Sequence, residues 1–314
     1  MHTFVYSKKK ALVNVFQYYS DIHIEHQSSM YNNEKLFWIE PISSYNLDID
    51  TEEGTSITVK NNLILAGDIG SPNSKLYWNF LRDVSQKFDR VFLIAGNHEH
   101  YTSELNDSDR VHPFTNISVE DADSDVELTN IINVEDIPKM LSEEKLFNVF
   151  FLENQSIVVD DFIIMGCTLW SNIPLNARFS ILQDISDYRL IDDFSIDKNN
   201  TLHAKSVKYL SDSLDAAISD GICTRIVITH HAPLMNGTSD PMYKGLTNHA
   251  FSTDLEDLVS KSTHWIYGHT HFNPLQPVRY NLYTNQIGYK WPLKKNNPYF
   301  LVTQHIRLSS ITVC

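Results

Sequence analysis

Apolar runs rich in β-branched and aromatic residues recur along this chain, and five of them stop on the same kind of chemistry. Ala11 to Tyr19 stops at Ser20-Asp21, with His23 two positions on. Ser56 to Ala66 stops at Gly67-Asp68. Arg90 to Ala95 stops at Gly96-Asn97-His98, Arg225 to Thr229 at His230-His231, and His264 to Tyr267 at Gly268-His269, with His271 following. Short runs of this composition bounded by Gly or Asp read as strands. Helical spacing fills some of the gaps, at Ser74 to Phe88, Ala204 to Ile218 and, more briefly, Phe251 to Val259. Alternation of strand and helix predicts an α/β architecture. Ligands of open α/β sheets bind outside the carboxyl ends of the strands. Five such ends brought together would gather two carboxylates, an amide and several imidazoles in one cleft.

The remaining organisation is simple. Neither an internal repeat nor a clean linker is visible, so one domain over 1–314 is the economical reading. An inserted loop at about 103–144 interrupts it and carries the acidic run Glu120 to Glu127. Such a run reads as a solvated segment, as a metal-binding loop or as a docking loop for a protein partner. From Gln276 onward the chain reads as all-β, with strands at Pro277 to Tyr283 and Tyr299 to Val313. The formal net charge is -14, from 25 Lys and Arg against 39 Asp and Glu. That excludes a broad basic nucleic-acid surface but not a nucleotide substrate. Cys167, Cys223 and Cys314 form no disulfide framework and no CxxC pair. Reduced thiols, an N-terminus without a long apolar core and the lack of any membrane-length apolar run together predict a cytoplasmic protein.

Carboxylate and imidazole donors without thiolate suit Zn, Mn, Fe, Co or Ni. Asp-x-His and His-x-His place alternate side chains on one side of an extended segment, so one strand end can offer a pair of ligands. Eight candidate residues exceed what one tetrahedral ion needs. A pair of divalent metal ions bridged by a carboxylate would use them better. Any one of the 14 histidines, taken alone, reads as a core or surface residue. Their joint position after strands is what points to a site.

Asp21-Ile22-His23, Gly67-Asp68, Gly96-Asn97-His98-Glu99, Thr229-His230 and Gly268-His269-Thr270-His271, in this order, resemble the five signature blocks of the calcineurin-like metallophosphoesterases. The resemblance spans Asp21 to His271. It implies two stacked mixed β-sheets flanked by helices, with the site at the strand ends. It further implies Asp21, His23 and His271 on a first metal, Asn97, His230 and His269 on a second, and Asp68 bridging the two. His98 would stand beside the substrate phosphate, orienting it or protonating the leaving group. The activity implied is hydrolysis of a small phosphate-ester or nucleotide substrate. In the family's protein phosphatases an Asp stands three residues after the bridging Asp and is followed by Arg-Gly. Here Asp68 leads into Ile69-Gly70-Ser71-Pro72, which favours the phosphodiesterase and small-molecule phosphatase branches. His231 falls to the surroundings of the ligands. Trp170 is a candidate substrate contact, weighed against a buried aromatic; Asn285, Tyr289, His100 and Tyr101 are weaker wall candidates. A metal-stabilised scaffold that kept the fold, with the acidic loop as docking element, is the reading from a different class.

Overall fold

A computed structural model describes residues 10–24, 39–42, 56–102, 132–242, 245–275, 278–279, 281–288 and 305–312. Among these, ten strands make two five-stranded sheets. In the first, β1 (Lys10–Tyr19), β2 (Ser56–Ala66), β3 (Arg90–Ile94) and β4 (Val149–Phe151) run parallel, and β10 (His305–Thr312) lies antiparallel to β1. In the second, β6 (Phe162–Cys167), β7 (Thr224–Thr229), β8 (His264–Tyr267) and β9 (Leu282–Thr284) run parallel, with β5 (Gln155–Val159) antiparallel to β6. Both sheets are mixed, as the family resemblance implies.

Why the strands read as nearly unbroken apolar runs is clear from their two faces. Parallel strands covered on both sides need apolar residues at every position. In β2, Leu63 and Leu65 face one way and Ile64 and Ala66 the other; β3 repeats this with Val91 and Leu93 against Phe92 and Ile94. Ile64, Phe92 and Ile94 join Phe162, Ile164, Ile226, Ile228 and Ile266 of the second sheet in one cluster between the sheets. The opposite face of the first sheet is covered by α1 (Lys75–Lys87) and α2 (Ile137–Glu143). Met165, Val227, Trp265 and Tyr267 on the outer face of the second sheet meet Leu210, Leu214, Leu258 and Val259 of α5 (Ile196–Ser219) and α6 (Glu256–Lys261). The result is four layers: helices, sheet, sheet, helices. Each fully buried Leu, Ile or Phe contributes about 1.5–3 kcal/mol, so the two sheet faces and their helices hold the molecule together.

Local signals set the helix ends. Ser74 caps α1 by accepting a hydrogen bond from the Leu76 amide at 3.2 Å. Gly221, with φ +74°, follows the C-cap Asp220 of α5, where a left-handed turn ends the helix. The helix begins at Ile196, two turns before the apolar spacing predicts. No helix among the described residues is long and apolar enough to cross a membrane. The acidic run Glu120 to Glu127 lies outside the described residues, as do His26 and Tyr289. Of the stretch 103–144, the described part 132–144 holds α2, whose Ile137, Met140 and Leu141 are buried against the first sheet.

Candidate metal centre

At the carboxyl ends of β1, β2 and β8 the backbone leaves the extended region abruptly. Asp21, His23, Asp68, His269 and His271 have φ of 54°, 45°, 52°, 71° and 48°. Residues with a Cβ seldom adopt this left-handed conformation, which costs about 1–3 kcal/mol at each position. It breaks the in-and-out alternation of the strands and turns the side chains into the space between the strand ends. Backbone hydrogen bonds hold the turns in place. His23 N donates to Asp68 O at 3.0 Å, Ile24 N to Ile69 O at 3.0 Å, and Gly268 N to His230 O at 2.9 Å. The segment after β9 closes the junction of the two sheets, with Ile287 N donating to Ser20 O at 3.1 Å and Gly288 N to Asp21 O at 2.9 Å.

The side chains meet in two groups that share Asp68. Donor atoms of Asp21, His23, Asp68 and His271 all lie within 4.8 Å of one another, and so do those of Asp68, His230 and His269. Within the first group, His23 Nε2 faces His271 Nε2 at 3.0 Å and His271 Nε2 stands 3.2 Å from Asp21 Oδ1. Asp68 Oδ1 accepts from the His98 amide at 2.9 Å, which leaves Oδ2 between His23 Nε2 at 3.6 Å and His230 Nε2 at 3.3 Å. Asn97 Oδ1 lies 3.1 Å from His230 Nε2. Ligands held about 2.0–2.1 Å from one ion stand about 3–3.4 Å apart around it. The spacings therefore fit cation binding, and the donors are the carboxylate, amide and imidazole groups that divalent transition metals take.

Tautomers are set by the far nitrogens. His230 Nδ1 lies 2.9 Å from the Ala66 carbonyl, which can only accept, so Nδ1 keeps its proton and Nε2 is the nitrogen that faces the cluster. His269 Nε2 contacts Ala250 O at 3.3 Å, which directs Nδ1 inward by the same logic. Burial works to raise both carboxyls. At Asp21 the hydrogen bond and charge of His271 outweigh it and hold the group below the usual range. At Asp68 the charges of His230, His98 and His23 hold it well below. At His230 burial acts downward, but the Asp68 carboxylate prevails and raises it to about 9. Two buried carboxylates facing several imidazoles thus attract positive charge strongly.

Two supporting groups escaped the sequence reading. Glu99 closes the Gly96-Asn97-His98-Glu99 block, where spacing alone gives it no role. It accepts backbone N–H bonds from Asp68 at 2.9 Å, Ile69 at 2.8 Å and Gly96 at 2.7 Å, locking the loop after β2 to the loop after β3. Asp187, at the start of the four-residue helix α4 (Asp187–Leu190), accepts from Asn97 Nδ2 at 2.9 Å and Tyr101 Oη at 2.6 Å. No spacing in the sequence marks it. Tyr101, a weaker wall candidate, does reach the site.

The His98 ring packs against His23 and Tyr101, with centroids 4.4 and 4.3 Å apart. A cavity of about 410 Å³ opens beside the clusters, lined by Asp68, Asn97, Tyr101, Asp187, Phe251 and His269 among others. Its described lining residues include no lysine or arginine, and neither His98 nor Trp170. Trp170 is buried, packed on Phe194, His100 and His231 at 4.7, 5.4 and 5.4 Å. His231 is buried behind the clusters, its Nδ1 2.9 Å from Ser171 Oγ and its ring stacked on His269. Asn285 is buried too and donates to Tyr18 O at 3.2 Å.

The fold is that of the calcineurin-like metallophosphoesterases, and the described residues include two groups of Asp and His that could hold metal ions. The crystal structure of phosphopantetheinyl hydrolase from Mycobacterium tuberculosis matches it with a TM-score of 0.58 at 15% identity, covering 90% of this chain and 91% of that one. The chain belongs to the same family as Uncharacterized protein L509 of Acanthamoeba polyphaga mimivirus. The two are 30% identical over 306 residues, which is 91% of this chain and 95% of that protein. No protein-family model matches the chain.

Proposed function

We propose that this protein is a phosphoric ester hydrolase whose two clusters each hold a divalent metal ion. Asp21, His23 and His271 would hold one, Asn97, His230 and His269 the other, and Asp68 both. The observation that carries this reading is Asp68 Oδ2, placed 3.6 Å from His23 Nε2 and 3.3 Å from His230 Nε2, within reach of both groups at once. A bound pair of divalent ions makes water a nucleophile near neutral pH and draws charge off phosphate oxygens. The chain's own residues supply the rest. Strained strand ends fix the ligands before substrate arrives, and before metal binds the charge of the histidine neighbours keeps the carboxylates ionised. His98, beside His23 and Tyr101, orients the phosphate or gives a proton to the departing oxygen. The whole chain acts as one metallophosphoesterase domain in the cytoplasm, on a small phosphodiester, phosphomonoester or nucleotide.

The test is direct. Protein stripped with chelator is reloaded separately with Mn, Zn, Fe, Co or Ni. Each form is assayed on bis-p-nitrophenyl phosphate and p-nitrophenyl phosphate. Hydrolysis of at least one ester, lost on chelation and restored by metal, is expected. A fully loaded protein that turns over neither ester with any of the five metals overturns the reading.

A further inference from the structure

We infer that Asp187 is a positioning residue for the second metal cluster: it holds the Asn97 amide with its oxygen turned toward His230. This rests on the two-cluster reading above.

An asparagine amide offers one end that can ligate a cation and one that cannot. The torsion joining the amide to its stem is nearly two-fold, so rotation exchanges the ends at little intrinsic cost. Surroundings must therefore choose. Asn97 Oδ1 points to His230 Nε2 at 3.1 Å, on the ligand side. Both amide hydrogens are engaged on the other side. One goes to Asp187 Oδ1 at 2.9 Å and the other to Tyr101 Oη at 3.1 Å. The Tyr101 hydroxyl gives its own proton to Asp187 Oδ1 at 2.6 Å, which leaves its oxygen as the acceptor that Asn97 needs. A flipped amide would set its oxygen against the Asp187 carboxylate, forfeit both bonds and offer an NH2 group to the cation. All three side chains are buried, so water cannot replace what is lost.

Asp187 is itself held in place. It opens α4, and the other end of that helix is tied to the loop after His98. Thr102 N and Oγ1 both donate to Leu190 O, at 3.0 and 3.2 Å. The short helix thus works as a bracket that carries a carboxylate to the back of Asn97.

The experiment measures Mn2+ binding to chelator-stripped protein, by elemental analysis after equilibration at set free Mn2+. It compares wild type, Asp187→Ala, Asp187→Asn and Tyr101→Phe. Loss of a group that orients a ligand typically weakens metal affinity about 10- to 100-fold. In Asp187→Ala one of two Mn2+ ions should weaken by that factor while the other is unchanged. Turnover lost at low Mn2+ should return when Mn2+ is raised. Asp187→Asn keeps the volume and one acceptor, and Tyr101→Phe keeps the Asp187 bond, so each should lose less. Both also serve if Asp187→Ala fails to fold. Wild-type loading of two ions with unchanged affinities in all three variants overturns the role of Asp187 and leaves the two-cluster reading standing. So does an equal loss of both ions in Asp187→Asn. A wild type that loads fewer than two ions overturns the two-cluster reading, and this inference with it.

Discussion

Asp68 uses its two oxygens differently, and that division sets what its replacement should do. Oδ1 is tied to the His98 amide at 2.9 Å, and Oδ2 faces imidazoles of both groups. Asp68→Asn keeps the shape but removes the charge between two proposed cations, so elemental analysis should find both ions weakened. His98→Ala should leave both ions bound and lower kcat by about 10²- to 10⁴-fold, the range for a positioned proton donor. Loss of an ion in His98→Ala would contradict that division of roles. A second residue-scale effect lies away from the ligands. Burial raises Glu153 to about 7, against hydrogen bonds from Thr168 N and Oγ1 at 2.9 and 2.8 Å. Between the ordinary carboxyl value of 4.5 and about 7, the folded chain keeps this proton and the unfolded chain has lost it. Stability should therefore fall as pH rises through that window, by about 1–2 kcal/mol for a side chain with some remaining exposure. Denaturant titrations at pH 5 and pH 8 should show a smaller difference in Glu153→Gln, which still accepts from Thr168. An identical pH dependence in the variant would contradict this. The residues that gather in the two groups were legible because each block is local: Asp21 and His23, or His269 and His271, lie two positions apart. Asp187 was not, because it sits some 90 positions from Asn97 and nothing in its own neighbourhood repeats.

The elements were legible where both their faces are apolar. β2 and β8 run as read, and β3 and β7 differ by a single residue at one end. The first two turns of α5 were hidden for a physical reason. Asn199 and His203 are buried there in place of apolar residues, as is Ser206 one turn further on, which breaks the helical spacing. Two of them serve the loop after β6: Asn199 Nδ2 donates to Ser171 O at 2.7 Å, and His203 Nδ1 lies 3.2 Å from Trp170 O. A polar helix face that binds a loop cannot be read from periodicity. The junction of β2 and β3 with β7 gives a prediction at the same scale. A Cβ on Gly96 would lie 2.7 Å from His230 Nε2 and 2.6 Å from Asp68 N, and closer still to Asp68 Oδ1. Backbone and two proposed ligands cannot all give way. Gly96→Ala should cost metal loading at least about tenfold while the circular dichroism of the α/β fold persists. Loading equal to wild type would show that the strand ends are less closely fitted than these distances require.

At the scale of the whole molecule, two sheets that each present apolar side chains on both faces must stack and be covered by helices. Stacking brings the carboxyl ends of β1, β2 and β3 opposite those of β7 and β8. The order of the blocks implied that meeting, while the partners within each sheet, and β4 to β6 in particular, came only from the structure. The chain as a whole is acidic at -14, and the cavity beside the clusters has no lysine or arginine among its described lining residues. In the proposed reading, cations at the two groups would offset Asp21 and Asp68 and favour an anionic ester there. Metal loading and catalysis should therefore rise together. The decisive measurement is a titration of chelator-stripped protein with Mn2+, following hydrolysis of bis-p-nitrophenyl phosphate and p-nitrophenyl phosphate against bound metal. Activity should climb to a plateau at two ions per chain and stay near zero for Asp68→Asn at the same total Mn2+. A plateau at one ion, or no hydrolysis of either ester with two ions bound, would contradict a phosphoesterase centre built around a shared Asp68.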